Sequence, residues 1–114
     1  MSVVIYHNPR CSKSRQTLAL LEERGVEHEI IKYLETPPSE EELRTLFAKL
    51  GLDEVRAMMR TKEDAYKELG LKDADDAALF KAMAANPVLI ERPIVVTGDQ
   101  ARLGRPPEQV LDIL

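Results

Sequence analysis

The first part of the chain combines two short apolar runs with one amphipathic stretch. Residues 2–7 form a β-branched run that ends before a turn, which predicts a buried strand. Residues 12–24 carry an apolar face built from residues 18–21 and are followed by Gly25, which predicts a helix with a glycine at its carboxyl end. Residues 26–34 predict a second strand. This order favours two parallel strands with the helix packed on the sheet.

The middle of the chain has helical periodicity. Thr36-Pro37-Pro38 breaks the preceding strand, and Ser39-Glu40-Glu41-Glu42 is the pattern of a capping box. Leucines and a phenylalanine then recur at helical spacing, so we predict a helix that ends at Gly51. Three shorter amphipathic pieces follow, at residues 53–59, 62–69 and 75–85.

The last part predicts a hairpin and a helix. Residues 93–97 and 100–103 alternate as two strands around the turn dipeptide Gly98-Asp99. Pro106 begins a final helix with Val110, Leu111 and Leu114 facing inward. The chain is therefore predicted to be one α/β domain over residues 1–114, with a βαβ half, a helical insertion at about residues 39–90, and a ββα half.

Charge and length exclude several classes of function. The chain has 114 residues, with 16 basic and 20 acidic side chains and a net charge of −4. That balance argues against binding to nucleic acid or an anionic membrane, because both need a positive surface. No stretch approaches the roughly 20 apolar residues of a membrane span, and the apolar start lacks the basic flank of a signal peptide. We therefore expect a cytoplasmic protein.

The chain has a single cysteine, Cys11, which is either inert packing or a lone reactive thiol. It lies where the first strand turns into the first helix, so its sulfur would face unpaired backbone amides and the positive end of the helix dipole. Lys13 and Arg15 add positive charge. These features lower a thiol pKa and bind oxyanions, and the polar flanks make burial in an apolar core hard to arrange. We predict a low-pKa, solvent-reachable thiol.

Other cysteine chemistries fit less well. A phosphatase loop needs an arginine six positions after the cysteine, where this chain has Thr17. A metal site would have to combine Cys11 with His7 and His28, which lack the spacing of paired ligands, so no metal is expected. Ser14 stands where a dithiol oxidoreductase has its second cysteine, so the motif is C-x-x-S. Any disulfide of Cys11 must therefore be with another molecule.

Three arginines stand at predicted boundaries between elements. Arg60 follows a helical piece, Arg92 precedes Pro93, and Arg105 precedes Pro106. Arginines at such places are usually solvated. Together with an electropositive thiol, however, three of them would form a binding site for a small tetrahedral oxyanion.

Four segments, in order and over nearly the whole chain, resemble the glutaredoxin-coupled arsenate reductase family. They are residues 7–15 (HNPRCSKSR), 33–38 (YLETPP), 91–96 (ERPIVV) and 104–111 (GRPPEQVL). The resemblance implies a thioredoxin-like mixed sheet with flanking helices and a helical insertion. It also implies arsenate as substrate, glutathione as co-substrate, glutaredoxin as protein partner, and no bound cofactor.

The resemblance assigns roles residue by residue. The family's catalytic cysteine falls on Cys11, and its oxyanion-binding arginines fall on Arg60, Arg92 and Arg105. Its supporting histidine and serine fall on His7 and Ser14, and its cis-proline falls on Pro93, so a cis Arg92–Pro93 bond is expected; Arg15 belongs to the same thiol loop.

Two alternatives stay open at this point. The same superfamily contains Spx-like regulators that bind RNA polymerase, which this chain resembles less because it joins a single-thiol C-x-x-S to the full arginine set. The other alternative is a glutathionylated thiol protein with a different substrate. The oligomeric state is not determined by the sequence, and a monomer is our expectation.

Overall fold

The computed structural model describes residues 2–114, whose strands form one four-stranded mixed sheet. Its spatial order is β2-β1-β3-β4, with β1 and β2 parallel and the other neighbours antiparallel. The strands are β1 (Val3–Tyr6), β2 (Glu29–Ile31), β3 (Ile94–Thr97) and β4 (Gln100–Leu103). The α-helices are α1 (Ser12–Glu23), α2 (Glu40–Leu50), α3 (Asp64–Glu68) and α4 (Asp76–Ala85). Four 3₁₀ helices span Val55–Met58, Leu71–Asp73, Pro87–Leu89 and Pro107–Ile113. This architecture confirms the predicted fold class.

Helices cover both faces of the sheet. Alternate residues of a strand point to opposite faces, and β3 accordingly sends Val95 into one apolar cluster and Val96 into the other. The larger cluster contains side chains of α2, α4 and the segments between them. The smaller cluster joins α1 to the carboxyl-terminal 3₁₀ helix through Leu21 and Val110. Burial on both faces explains why β3 is apolar from Ile94 to Val96; the buried Thr97 hydroxyl donates to Ile113 O at 2.8 Å.

The predicted start and end of α2 are confirmed. The Ser39 hydroxyl accepts a hydrogen bond from Glu42 N at 3.1 Å, and a Glu42 carboxylate oxygen accepts one from Ser39 N at 3.2 Å. This reciprocal pair is a capping box. Gly51 ends the helix in the left-handed conformation, with φ at 65°.

The second strand is shorter than the sequence predicted. Only Glu29–Ile31 pair with β1, instead of residues 26–34. Val26 N still bonds Leu21 O at the end of α1, and Lys32 O accepts two turn hydrogen bonds from residues 35 and 36. These contacts divert both ends of the apolar run away from the sheet.

The last helix is a 3₁₀ helix, and its buried face differs from the prediction. In a 3₁₀ helix residues three apart share a face, so Pro107, Val110 and Ile113 are buried together. Leu114, expected to face inward, is 39% exposed, and Leu111 is half-buried. The prediction is therefore correct for Val110 and wrong for Leu114, and it missed Pro107 and Ile113.

The buried face of α1 was predicted in part: Leu21 is buried as expected, but Ser14 and Thr17 were missed. It consists of Ser14, Thr17 and Leu21, with Leu18 partly buried and Ala19 exposed. Both buried hydroxyl groups have hydrogen-bond partners: Ser14 bonds the His7 ring, and Thr17 donates to Lys13 O at 2.8 Å. An apolar-periodicity argument could not find this face, because two of its three members are polar.

The strand register brings three chain connections to the same edge of the sheet. Ile94 lies opposite both Tyr6 of β1 and Leu103 of β4. The end of β1, the start of β3 and the end of β4 are therefore neighbours. The segments that carry Cys11, Arg92 and Arg105 all begin or end at this edge.

Gly104, at the end of β4, allows a close approach in this region. An added Cβ would lie 2.7 Å from Cγ of Pro93 and would also meet the Thr17 hydroxyl. We predict that Gly104→Ala lowers the free energy of unfolding by about 1–3 kcal/mol, the usual cost of overpacking. Urea denaturation measures it. Thr17→Ala in the same chain should recover part of the loss, and a strictly additive double variant would contradict this packing account.

Candidate active site

Cys11 is the amino-terminal cap residue of α1. Its backbone is extended, with φ −94° and ψ 123°, and its N–H donates to Asn8 O at 3.0 Å. The residue is buried, with 9% exposed, so the thiol is much less solvent-reachable than predicted. It belongs to neither apolar cluster, however. The sulfur is buried among backbone amides and guanidinium groups.

The surroundings of Cys11 lower the pKa of its thiol. Burial is the largest single influence and raises the pKa, because it disfavours the charged thiolate. Hydrogen bonds from the backbone amides of Ser14 and Lys13, together with the positive charge and a hydrogen bond of Arg92, more than offset it. The predicted direction of the shift is therefore confirmed, and the group that develops a charge is matched by donors already in place.

Two arginines lie near the sulfur, one just before β3 and one just after β4. Nη1 of Arg105 lies 4.0 Å from Cys11 Sγ and donates to Arg92 O at 3.2 Å. The Nε atom of Arg92 is buried and has no hydrogen-bond partner among residues 2–114. Unsatisfied buried donors are rare and frequently mark functional sites.

The three predicted arginines line one cleft of about 350 Å³, together with Met59, Thr61, Lys62, Glu63 and Glu91. Arg60 reaches it because its backbone N–H donates to Leu89 O at 2.8 Å, beside the bridge between Met59 and Ile90. The cleft thus contains four cationic side chains and two carboxylates. Cys11 does not itself line the cleft; it borders on it through Arg105, whose Nη1 lies 4.0 Å from the Cys11 sulfur.

His7 and Ser14 form a buried pair beneath the thiol loop. Nδ1 of His7 and Oγ of Ser14 are 2.6 Å apart, and Asn8 N donates to the same hydroxyl at 3.0 Å. Burial, followed by the charges of Lys32 and Arg15, lowers the pKa of His7. The imidazole is therefore neutral at neutral pH, and the pair fixes the turn without adding charge.

Arg15 does not line the cleft. Its Nη1 donates to Pro9 O at 2.9 Å on the exposed side of the loop. The contact ties the first turn of α1 back to the segment before Cys11. Arg15 therefore lies beside the thiol loop, as the sequence suggested, but faces away from the arginine cleft.

The Arg92–Pro93 peptide bond is cis, as the resemblance led us to expect. A second cis bond, Arg105–Pro106, was not anticipated. The two cis prolines are adjacent in space, since Gly104 N donates to Pro93 O at 2.9 Å.

Two residues of the site were missed from the sequence. The Glu91 carboxylate oxygen Oε1 lies 3.1 Å from Arg92 Nη1 and 3.8 Å from Arg105 Nε. Tyr33 is almost fully buried, and its hydroxyl hydrogen-bonds Asn8; burial raises its pKa. Both residues begin segments that resemble the family, YLETPP and ERPIVV, but no role was assigned to either of them.

Residues 2–114 contain no candidate metal site and no helix suited to span a membrane. No group of three histidine, cysteine, aspartate or glutamate side chains is arranged there to hold a metal ion. None of the helices in that range has the length and apolar character to cross a membrane.

Comparison with known proteins assigns the chain to a family. Residues 6–113 match the model of the ArsC family. The chain belongs to the ArsC family. A protein of Haemophilus influenzae named arsenate reductase is 57% identical, over 100% of both chains. The Escherichia coli protein YfgD, which is described as uncharacterized, is 59% identical over 98% of this chain and 96% of its own length.

A solved structure agrees with the ArsC fold throughout. The arsenate reductase from Vibrio cholerae is 68% identical and superposes with a TM-score of 0.97, covering 100% of this chain and 98% of the other. The family resemblance drawn from the four sequence segments is therefore confirmed for this ArsC-family protein.

The role of Arg92 in lowering the thiol pKa is testable. We predict that Arg92→Ala shifts the midpoint of Cys11 alkylation by iodoacetamide to higher pH, because the thiolate loses a positive charge and a hydrogen bond that lower its pKa. Arg92→Lys, which keeps the charge, should shift it less. The measurement is the alkylation rate across pH, and an unchanged midpoint in Arg92→Ala would remove Arg92 from this role.

Proposed function

We propose that this ArsC-family protein is an arsenate reductase in which Cys11 is the nucleophile. The observation that carries the proposal is the placement of a lowered-pKa thiol at the border of an arginine cleft. The thiolate supplies the attacking atom, and the guanidinium groups supply a site for a tetrahedral anion. The full-length relative named arsenate reductase supports the same substrate.

The first step joins sulfur to arsenic. The Cys11 thiolate attacks arsenic of bound arsenate, a sulfur–arsenic bond forms, and one arsenic–oxygen bond breaks with its oxygen leaving as hydroxide or, once protonated, water. Arg60, Arg92 and Arg105 bind the remaining oxygens and stabilise the charge that develops on them. These three arginines and Cys11 are the catalytic residues of the proposal.

Four further residues position the thiol. The backbone N–H of Ser14 donates to the sulfur, while its hydroxyl joins His7 and Asn8. Arg15 bonds Pro9 O behind the loop. Pro93 packs next to Gly104 and directly follows Arg92 in the chain. None of these groups needs a bound metal or organic cofactor.

The reductant must come from outside the chain. Reduction of arsenic from the +5 to the +3 state takes two electrons, and two thiols release two electrons when they join as a disulfide. With Cys11 as the single cysteine, both thiols have to be external. We assign them to glutathione and a glutaredoxin. Glutathione displaces a second arsenic oxygen as water and forms a sulfur–arsenic bond. A glutaredoxin thiolate then attacks the glutathione sulfur, so a glutaredoxin–glutathione disulfide forms and the electron pair of the broken bond reduces arsenic to the +3 state. Water finally cleaves the bond between Cys11 and arsenic, which releases arsenite and the Cys11 thiol.

The proposal also covers the location of the protein, its domain organisation and its oligomeric state. We propose that the protein acts in the cytoplasm, where thiols are kept reduced, and that residues 1–114 work as one domain and as a monomer. The sheet contributes to both apolar clusters, which supports one folding unit.

A coupled assay tests the proposal. Arsenate should accelerate NADPH consumption by glutathione reductase only when glutathione and glutaredoxin are both present, and Cys11→Ser should abolish the arsenate-dependent rate. Arg105→Ala should lower kcat/KM by about ten- to a hundredfold, the range for loss of a charged hydrogen bond. Arg24→Ala, at the exposed far end of α1, is the matched control and should keep full activity.

Other outcomes identify the alternatives. An Spx-like regulator would show no arsenate-dependent turnover and would bind RNA polymerase. A glutathionylated thiol protein with another substrate would consume reductant equally with and without arsenate. Turnover with thioredoxin as the sole reductant would contradict the proposed route. Thioredoxin-coupled reduction passes the adduct to a second thiol of the reductase, and Cys11 is the single cysteine of this chain.

A further inference from the structure

The arginine cleft contains a carboxylate where an anion is expected to bind. Glu91 Oε1 contacts both Arg92 Nη1 and Arg105 Nε, and it also accepts a hydrogen bond from Arg92 N at 3.3 Å. Its side chain is 21% exposed and lines the cleft. A fixed negative charge weakens binding of any anion beside it. Its presence at this position therefore needs a reason other than affinity.

We propose that Glu91 makes the cleft select tetrahedral oxyanions that carry a proton, such as arsenate and phosphate, over fully deprotonated ones such as sulfate. The inference rests on the proposed oxyanion site and names a specificity-determining residue within it.

Charge alone would give the opposite preference. The cleft has four cationic side chains and two carboxylates, so its net charge is positive. Sulfate is a full dianion at neutral pH, whereas arsenate and phosphate are in part monoanions. A cleft that only attracted negative charge would therefore bind sulfate at least as well as the protonated anions.

The carboxylate reverses this preference because it is only an acceptor. An ionised carboxylate has no proton to donate. Arsenate and phosphate at neutral pH keep at least one O–H group, which can donate to it. Sulfate has none, so its oxygen would face the Glu91 oxygen with two acceptors and like charges together. A site built to pair with a substrate hydroxyl discriminates strongly against an analogue that lacks it.

The geometry leaves one oxygen of Glu91 for this purpose. Within residues 2–114, the side-chain hydrogen bonds and ion pairs of Glu91 all involve Oε1. These contacts with Arg92 and Arg105 hold the carboxyl group in one orientation, and Oε2 is not engaged by them. The same two guanidinium groups would hold the anion, so its O–H would lie within reach of Oε2.

The second carboxylate of the cleft provides a matched control. Glu63 Oε2 pairs with Arg60 Nη2 at 3.0 Å, three residues away in sequence. Arg92 and Arg105 have their ion pairs with Glu91 instead. Glu63→Gln and Glu91→Gln therefore remove the same charge from the same cleft, but only Glu91→Gln removes the acceptor placed between the two arginines beside Cys11.

The experiment compares phosphate, the unreactive analogue of arsenate, with sulfate at constant ionic strength and neutral pH. Binding is measured by calorimetry and by protection of Cys11 from alkylation. The wild-type protein should prefer phosphate by at least about tenfold. Glu91→Gln should reduce that preference at least about fivefold, because the amide can donate to sulfate. Glu63→Gln removes the same charge and should raise both affinities, that of sulfate slightly more because of its larger charge, so it should lower the preference for phosphate by less than about twofold.

Each outcome decides the inference. If Glu91→Gln strengthens phosphate and sulfate equally, Glu91 is only a counter-charge; the inference fails and the oxyanion site stands. If Glu63→Gln changes the preference as much, the assignment to Glu91 is wrong. If neither anion binds wild-type protein, the proposed site fails as well. Should Glu91→Gln not fold, Glu91→Ala, which also removes the acceptor, must lose the preference.

Discussion

Backbone amides at the start of α1 help to offset the effect of burial on the pKa of the Cys11 thiol. The rest of the site depends on this balance. Burial alone would raise the pKa of the thiol and leave it unreactive. The amides of Ser14 and Lys13, together with Arg92, reverse that effect; the amides are available because the first turn of a helix leaves its N–H groups without backbone partners. The sulfur can therefore be largely buried and still ionise, and the thiolate is the form that attacks.

The sheet register supplies the second half of the site. The mixed sheet places the end of β1 beside the start of β3, and the start of β3 beside the end of β4. Residues far apart in the sequence, Cys11 and Arg105, consequently meet within 4.0 Å. Two cis prolines and the close packing of Gly104 on Pro93 lie at the same place. Local packing at this edge thus determines the orientation of the arginines.

Opposing charges in the cleft are organised in pairs. Arg60 pairs with Glu63, while Arg92 and Arg105 share Glu91. The guanidinium groups are held in place before a ligand arrives, which lowers the entropic cost of binding one. Such pairing also limits the attraction for anions in general, so selection has to depend on the hydrogen bonds that each anion can make.

Much of this could be predicted from the sequence, and the failures have physical causes. The capping box at Ser39, the hairpin at Gly98-Asp99 and the position of Cys11 at the start of α1 depend on local chemistry and were found. The inner face of α1 was missed in part because Ser14 and Thr17 are buried through hydrogen bonds. The buried side of the last helix was missed in part because a 3₁₀ helix has a different period. Glu91 and Tyr33 depend on tertiary neighbours that no periodicity reveals.

The central claim is that Cys11 sulfur bonds directly to arsenic, and the arsenic content of the isolated protein tests it most directly. Wild-type protein and Cys11→Ser are incubated with arsenate and glutathione without glutaredoxin, desalted rapidly, and analysed for bound arsenic by elemental mass spectrometry. The account predicts arsenic approaching the molar amount of wild-type chain, located on the peptide that contains Cys11, and none on Cys11→Ser. Equal arsenic on the two proteins, or none on either while turnover proceeds in the complete assay, would contradict it.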